Sequence, residues 1–449
     1  MTRLFVIAAL IILAGIIKNV EPFGTRTTKE HKKKRKQHKP KKEYLYVWTG
    51  SDNGDYVAVV NFQQGSSEYG KVIRKVNVTE SSTRSSVNNE AHHSLITKTP
   101  QGQKVLITGG LLSFLNPDNK TDDIFVWDLQ NPSQPELITS YKLPGGCADE
   151  IDEYGNGILV SMMCDSDAQS PGALAYLDLG TGESYDILNS TNLTDFNPHG
   201  MSINEQGGYV MAADYIQPIT LLPQYSPPVF RNTFRRFDLN RSSRALDFIY
   251  TIDSSPPPGG FLDIALIPGT NTGYTFGSTN NLMYYVDAST TNPPEVVFNM
   301  TTLNGGTSVL SAGITKYLKS GEFAFHTFGR QYLVGFNIKN RQQPKLFYVY
   351  DFCKGYTTGT EKFNCTSNFP GAHMFTITPN EDRIVVVTYF LKFGILQNQD
   401  ALSVAVFNVK QKKNRSDKVV GTPTVTYDTS FSLNLSPDRP HSIQVLSVK

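Results

Sequence analysis

The sequence predicts an all-β fold, a seven-bladed β-propeller closed by joining N- and C-terminal strands in one blade. The first observation is compositional: 22 Tyr, 26 Phe, 35 Gly and 25 Pro among 449 residues favour strands and turns over long helices, and 39% hydrophobic residues supply a sizeable core. The second is a repeat. An apolar strand ending in Asp or Asn plus a hydrophobe recurs seven times, at Asn61-Phe62, Asp128-Leu129, Asp178-Leu179, Asp238-Leu239, Asp287-Ala288, Asn337-Ile338 and Asn408-Val409, at a mean spacing of about 58 residues. The third lies at the ends of this region: residues 44–78 supply three strands with no inner one before them, and the final HSIQVLSVK supplies an inner strand alone. Pairing the two leaves no open sheet edge. A pair of stacked sandwiches is the competing arrangement.

Taken from the N-terminus, residues 1–18 read as a signal peptide. Thr2-Arg3 gives a short positive start, and Leu4 to Ile17 is an apolar run of fourteen residues with the small Ala14 and Gly15 near its end. A membrane span needs about 20 residues, so a secretory signal is the better reading and a retained signal anchor the alternative. Residues 19–43 form a basic linker. Residues 1–43 hold twelve Lys or Arg against three Glu, leaving a mildly acidic body of thirty basic and thirty-seven acidic residues. The run Lys32-Lys33-Lys34-Arg35-Lys36, continued by Lys39, Lys41 and Lys42, has no apolar face to bury and is expected to be disordered. It reads as a solvated linker or processing site, or as a contact for acidic glycans or a membrane surface. An acidic body of this kind is not a nucleic-acid binder.

Secretion agrees with two further features. Glycosylation sequons begin at Asn77, Asn119, Asn189, Asn192, Asn240, Asn299, Asn364, Asn414 and Asn434. The four cysteines fall into two local pairs, Cys147 with Cys164 and Cys353 with Cys365. Three connectivities are open, and the local disulfides are preferred. No C-x2-C spacing points to structural zinc.

Residues 44–449 constitute the propeller. Each repeat reads as four short strands; the clearest runs SLITKT, KVLITGG, IFVWDL and PELITSYKL after His93, and residues 199–251 and 373–430 repeat the phrase. The G-H…W-D signature of WD40 repeats is absent, and the period is longer. Neither a G-x-S-x-G elbow nor a P-loop nor a dinucleotide fingerprint is present.

Five of the six histidines in this body, His92, His93, His199, His373 and His441, stand where an inner strand begins. Inner strands converge on the propeller axis, so these imidazoles are expected to ring one mouth of the channel and to hold a metal ion, with copper first and iron or zinc as alternatives. Strand alternation predicts that one of His92 and His93 points away. Asp149, Glu150 and Asp263 stand at equivalent positions in other repeats and are candidates to orient the ligand histidines. The plainer reading is a set of histidines that bond local loops. His326, in FAFHTFG, lies within a middle strand and reads as structural.

The segment DYVAVVNFQQGSSEYGKVIRKVNV, the following EAHHS, and the phrases NPHGMSINEQGGYVMAADY, GAHMFTITPNEDRIVVVTYF and RPHSI are similar to selenium-binding proteins, the methanethiol oxidase family. The resemblance covers roughly residues 44–449. It implies a seven-bladed propeller binding copper through channel histidines and oxidising methanethiol with oxygen to formaldehyde, hydrogen sulfide and hydrogen peroxide. It implies ligand roles for His92, His93, His373 and His441, with His199 in an N-P-H-G context. Two departures stand out. Pro144 replaces a family histidine three residues before Cys147, and LITKTPQGQ replaces the cysteine-rich stretch after the paired histidines, which speaks against selenium binding.

The expected function is therefore a secreted, copper-dependent oxidase of methanethiol or another small sulfur compound. The alternative is a non-catalytic secreted propeller binding a protein or glycan through its loops, to which the Pro-rich insertions Gln217–Phe230 and Ser254–Gly260 would contribute.

Overall fold

A computed structural model describes residues 42–79, 85–86, 89–113, 121–188, 193–225, 227–240, 245–311, 313–329, 331–355, 357–358, 361–362, 372–388, 403–414 and 419–448. The expected signal peptide, the linker up to Lys41, Cys365 and the sequons at Asn119, Asn189, Asn192 and Asn364 lie outside the described residues.

Seven antiparallel sheets of four strands follow one another along the chain, and one of them carries a short extra strand. Blade 1 runs outward from Arg439–Val448 through Lys42–Gly50 and Tyr56–Asn61 to Val72–Asn77. Blades 2 to 7 have innermost strands Ala91–Lys98, Gly146–Tyr154, Pro198–Asn204, Phe261–Leu266, Thr315–Tyr317 and Phe375–Ile377. The ring is thus closed by the expected strand exchange. Lys42 pairs with Val448 and Gly50 with Arg439, so the two ends of the described body share one ladder, interrupted once between Trp48 and Thr49.

The repeat motif has a structural meaning. Asn61, Asp128, Asp178, Asp287 and Asn337 each accept a bond through Oδ1 from the backbone N–H two residues on, at 2.7–3.1 Å. The carboxylate or amide ends its strand by making the next turn itself. The other two members bond differently: Asp238 takes Arg236 Nε at 2.7 Å, and Asn408 takes Gln64 Nε2 at 3.1 Å.

The middle strands are largely buried on both faces, because each blade packs between two neighbours, and apolar clusters fill the wedges between blades; the inner strands are buried where they begin and half-buried further along. Trp48 of blade 1 meets Trp127 of blade 2 edge-on at 6.1 Å. At the seam between blades 7 and 1, the buried Arg383 donates from Nη2 to Glu43 Oε2 at 2.6 Å and from Nη1 to the Phe62 carbonyl at 2.9 Å. Lys42 and Glu43 both belong to the first strand. Cys147 and Cys164 form a disulfide at the inner edge of blade 3. Of the described sequons, Asn77, Asn299, Asn414 and Asn434 are exposed, and Asn240 is half-buried with its amide donating to Asp247 Oδ2.

Candidate metal centre on the propeller axis

The inner strands do not run regularly into the channel. In blade 2 Ala91 pairs with Gly110 and the next pair is Ser94 with Thr108, so His92 and His93 stand opposite Gly109 alone. The same two-against-one step places Asp149 and Glu150 in blade 3, His199 and Gly200 in blade 4, and Leu262 and Asp263 in blade 5. In blade 1 the ladder passes from Ser442 to Pro440 and leaves out His441. Five blades therefore carry a β-bulge at the position of a candidate site residue. A bulge frees residues from the ladder and re-aims their side chains. In blade 7 the inner strand starts later, and His373 precedes it with its N–H on the Val387 carbonyl at 3.3 Å.

This step corrects the expectation that one of His92 and His93 faces away. Their rings stack at 4.7 Å and 18°, both turned to the axis, because the bulge breaks the alternation. Around this pair His441 lies 4.1 Å from His92, His373 lies 5.1 Å from His441, and His199 lies 6.2 Å from both His92 and His93, measured between ring centroids. Asp149 sits among them: its Oδ2 is 3.0 Å from His92 Nε2, and its Oδ1 is 3.2 Å from His199 Nδ1 and 3.5 Å from His93 Nε2. Glu150 Oε2 is 3.6 Å from His93 Nδ1. Asp263 turns elsewhere, accepting the Thr315 N–H of the next blade at 2.8 Å. Asp149, expected only to orient ligands, occupies the donor layer itself.

Two groups of donor atoms lie within 4.8 Å of one another, His92 with His93 and His373, and His92 with Asp149 and His199. Ligands about 2 Å from one ion stand within about 4 Å of each other, a comparable span. His92 belongs to both groups, and His441 belongs to neither despite its nearness to His92. Both ring nitrogens of His92, Nε2 of His93, Nδ1 of His199 and both oxygens of Asp149 are buried without a well-aligned hydrogen bond among the described residues. Buried polar atoms are normally satisfied. A cation bound between them supplies what the protein does not, so the donor set fits a metal.

Burial also sets the charge. It pushes His93 and His441 well below the usual imidazole value and His199 down to about 4. These rings are neutral near pH 7, the form that ligates a metal. Burial alone would raise Asp149; His199, His92 and His93 outweigh it and hold the carboxyl below the usual range. Below this layer, burial and the facing carboxylates Asp152 and Asp263 push Glu150 well above its usual value. Burial also raises Asp152 and Asp263 to about 6.

The five histidines do not line an open mouth: none is more than 3% exposed. On their side of the ring lies an apolar cluster that includes Leu111, Leu112, Tyr215, Leu221 and Leu262, joined by the Cys147–Cys164 disulfide. Tyr215 stands edge-on to His199 at 5.1 Å and to Phe230 at 5.8 Å. The insertion Gln217–Phe230 thus contributes to this cap instead of standing free. Along the axis, cavities open toward the opposite face, one of about 550 Å³ lined by Leu95, Asp152 and Ser202 and one of about 780 Å³ lined by Thr97, Glu153 and Gln444.

Sequence reading missed the supports of the site. Ser161 donates to the His199 carbonyl, and Thr327, at the same place in blade 6, donates to that of His373, each reaching into the next blade. The signal was present as a hydroxyl residue in a second strand, alone among apolar residues in LVSMM and beside His326 in AFHTF. His326 lies apart, stacked on Phe276 at 3.5 Å with Nδ1 at 3.2 Å from Thr315 Oγ1.

Fold and site together define a seven-bladed propeller with a buried His/Asp cluster on its axis, of the kind that can bind a metal. No family model matches the sequence, and no curated protein matches it. Solved structures do. A hypothetical selenium-binding protein from Sulfolobus tokodaii is similar with a TM-score of 0.69 at 15% identity, over 91% of this chain and 94% of that one. A periplasmic gluconolactonase from Pseudomonas aeruginosa is similar with a TM-score of 0.56 at 13% identity, over 91% and 100%. At these identities the likeness is one of fold.

Proposed function

We propose that the chain is a secreted copper-binding propeller that oxidises a small sulfur compound, methanethiol or a close relative. The observation that carries the proposal is the convergence of five buried imidazoles and Asp149 from five blades, with unmet polar atoms on His92, His93, His199 and Asp149 and with His93, His199 and His441 held neutral by burial. His92, His93, His199, His373 and Asp149 would hold the ion, with His441 against His92. An imidazole-rich set suits copper, iron or zinc, and a soft sulfur substrate favours copper. A copper ion held there supplies redox chemistry toward oxygen and a soft site for sulfur.

The chain's own residues supply the rest. The apolar cap of Leu111, Leu112, Leu221 and Tyr215 excludes water from one side. Glu150, pushed well above its usual value by burial and its carboxylate neighbours, lies 3.6 Å from His93 Nδ1 and can pass a proton toward Asp152 and the open end of the channel. The apolar run Leu4 to Ile17, the exposed sequons and the disulfide support secretion. The basic segment before the first strand gives such a protein a contact for acidic glycans or an anionic membrane surface.

The test is elemental mass spectrometry on protein secreted from a eukaryotic host in copper-replete medium, followed by oxygen uptake with methanethiol. About one copper per chain, lost in His92→Ala, is expected. A folded, glycosylated sample without metal would overturn the proposal and leave a binding protein.

A further inference from the structure

On the face of the ring away from the histidines, blades 3 and 4 enclose a cavity of about 530 Å³. Its walls are aromatic. Tyr154 stands at 82° to Tyr176 with centroids 6.0 Å apart, and Tyr176 lies 5.4 Å from Tyr185 at 57°. Tyr209 of blade 4 lines the other side. Ile187, Ile203, Val210 and Leu239 also line it, together with three carboxylates, Asp178, Glu183 and Glu205, and no lysine, arginine or histidine is among its residues. Among the described residues no ion pair engages any of the three.

We propose that this cavity is a second ligand site, independent of the axial cluster, that takes a methylated or quaternary ammonium group. Rings set at steep angles present their negative faces to one volume, and a desolvated cation there is held by the ring quadrupoles. The carboxylates supply the charge that an apolar guest would leave unmatched. The protein already uses this chemistry beside the cavity: the Arg236 guanidinium lies 4.3 Å over the ring of Tyr209. The volume falls within the range of small-ligand pockets. Asp178 is fixed by the N–H groups of Gly180 and Thr181 on Oδ1, which positions its charge at the rim.

The ammonium group can come from a free small molecule or from a methylated lysine, and the test separates the two. The full chain is titrated calorimetrically with choline, with its uncharged isostere 3,3-dimethyl-1-butanol, and with a short peptide carrying trimethyl-lysine. Saturable choline binding that weakens with salt is expected, with the isostere at least about tenfold weaker. Tyr185→Ala, on a 40% exposed wall residue, and Glu205→Gln are each expected to weaken it about tenfold. Both variants should keep the wild-type melting temperature and metal content, which separates this site from the axial one. Tighter binding of the peptide would assign the source to a protein tail. Equal binding of choline and the isostere, binding indifferent to both variants, or no binding by folded protein at millimolar choline would each overturn the proposal.

Discussion

His92 and His93 are sequence neighbours on one strand, yet their rings lie stacked 4.7 Å apart and both face the axis. A regular strand would send them to opposite faces. The bulge against Gly109 removes that constraint, and its recurrence in blades 1, 3 and 4 brings His441, Asp149 and His199 to the same axis.

His92 belongs to both donor groups, so His92→Ala should abolish metal binding, whereas His441→Ala should weaken it less. Metal content per chain after dialysis against a weak chelator checks the order. Removing metal from the wild type should lower its stability by about 3–4 kcal/mol at metal concentrations 100 to 1,000 times the dissociation constant, read from urea melts with and without chelator.

Asp149→Asn keeps the shape of the side chain and removes the charge that three histidines approach. Metal affinity should fall by about 10- to 100-fold, measured by competition with a chelator of known affinity. An unchanged affinity would return Asp149 to a purely structural role.

His326 gives the pH prediction free of the metal site. Burial pushes its folded value down to about 3, from 6.5 for an unperturbed imidazole. The unfolded chain therefore binds more protons between those values. The stability this neutral ring contributes is complete above about pH 6.5 and is lost as pH falls toward 3, at about 1.4 kcal/mol per unit. His326→Gln should flatten the stability profile in that window relative to wild type, read as urea midpoints across pH.

Arg383 is 2% exposed and bonds across the closing seam to Glu43 and the Phe62 carbonyl. Arg383→Ala should cost about 3 kcal/mol or more, since it leaves the Glu43 charge with Ser447 Oγ but no cation and opens a gap over the Phe62 ring. Arg383→Met should recover part of the loss through packing, and urea denaturation distinguishes the two.

The Cys147–Cys164 disulfide closes a loop of sequence separation 17 beside Asp149. Replacing both cysteines with serine should lower stability by about 3 kcal/mol. The same variant should speed metal loss to a chelator, because the cap cluster contains both cysteines.

Much of the fold was legible because its repeat is local. In five of the seven repeats the Asp or Asn that ends the strand makes its own turn, so the motif at Asp128, Asp178 and Asp287 is written within three residues. Strand exchange was legible from the lone inner strand around His441. The histidine positions were legible because one-dimensional spacing maps onto the ring. Their burial was not, because the cap is assembled from Leu111, Cys164, Tyr215 and Leu262 in four different blades. Nor was the place of Asp149 in the donor layer. That depends on a bulge, and a bulge is a property of two paired strands, one of which carries no mark for it.

The strand that completes blade 1 also carries His441, which makes the order of events during synthesis part of the chemistry. A nascent chain that has emerged only through blade 7 can stack every other sheet and gather four of the imidazoles. The fifth arrives with the ladder that locks the ring, so the ring of five imidazoles is complete only once the first and last described strands have paired.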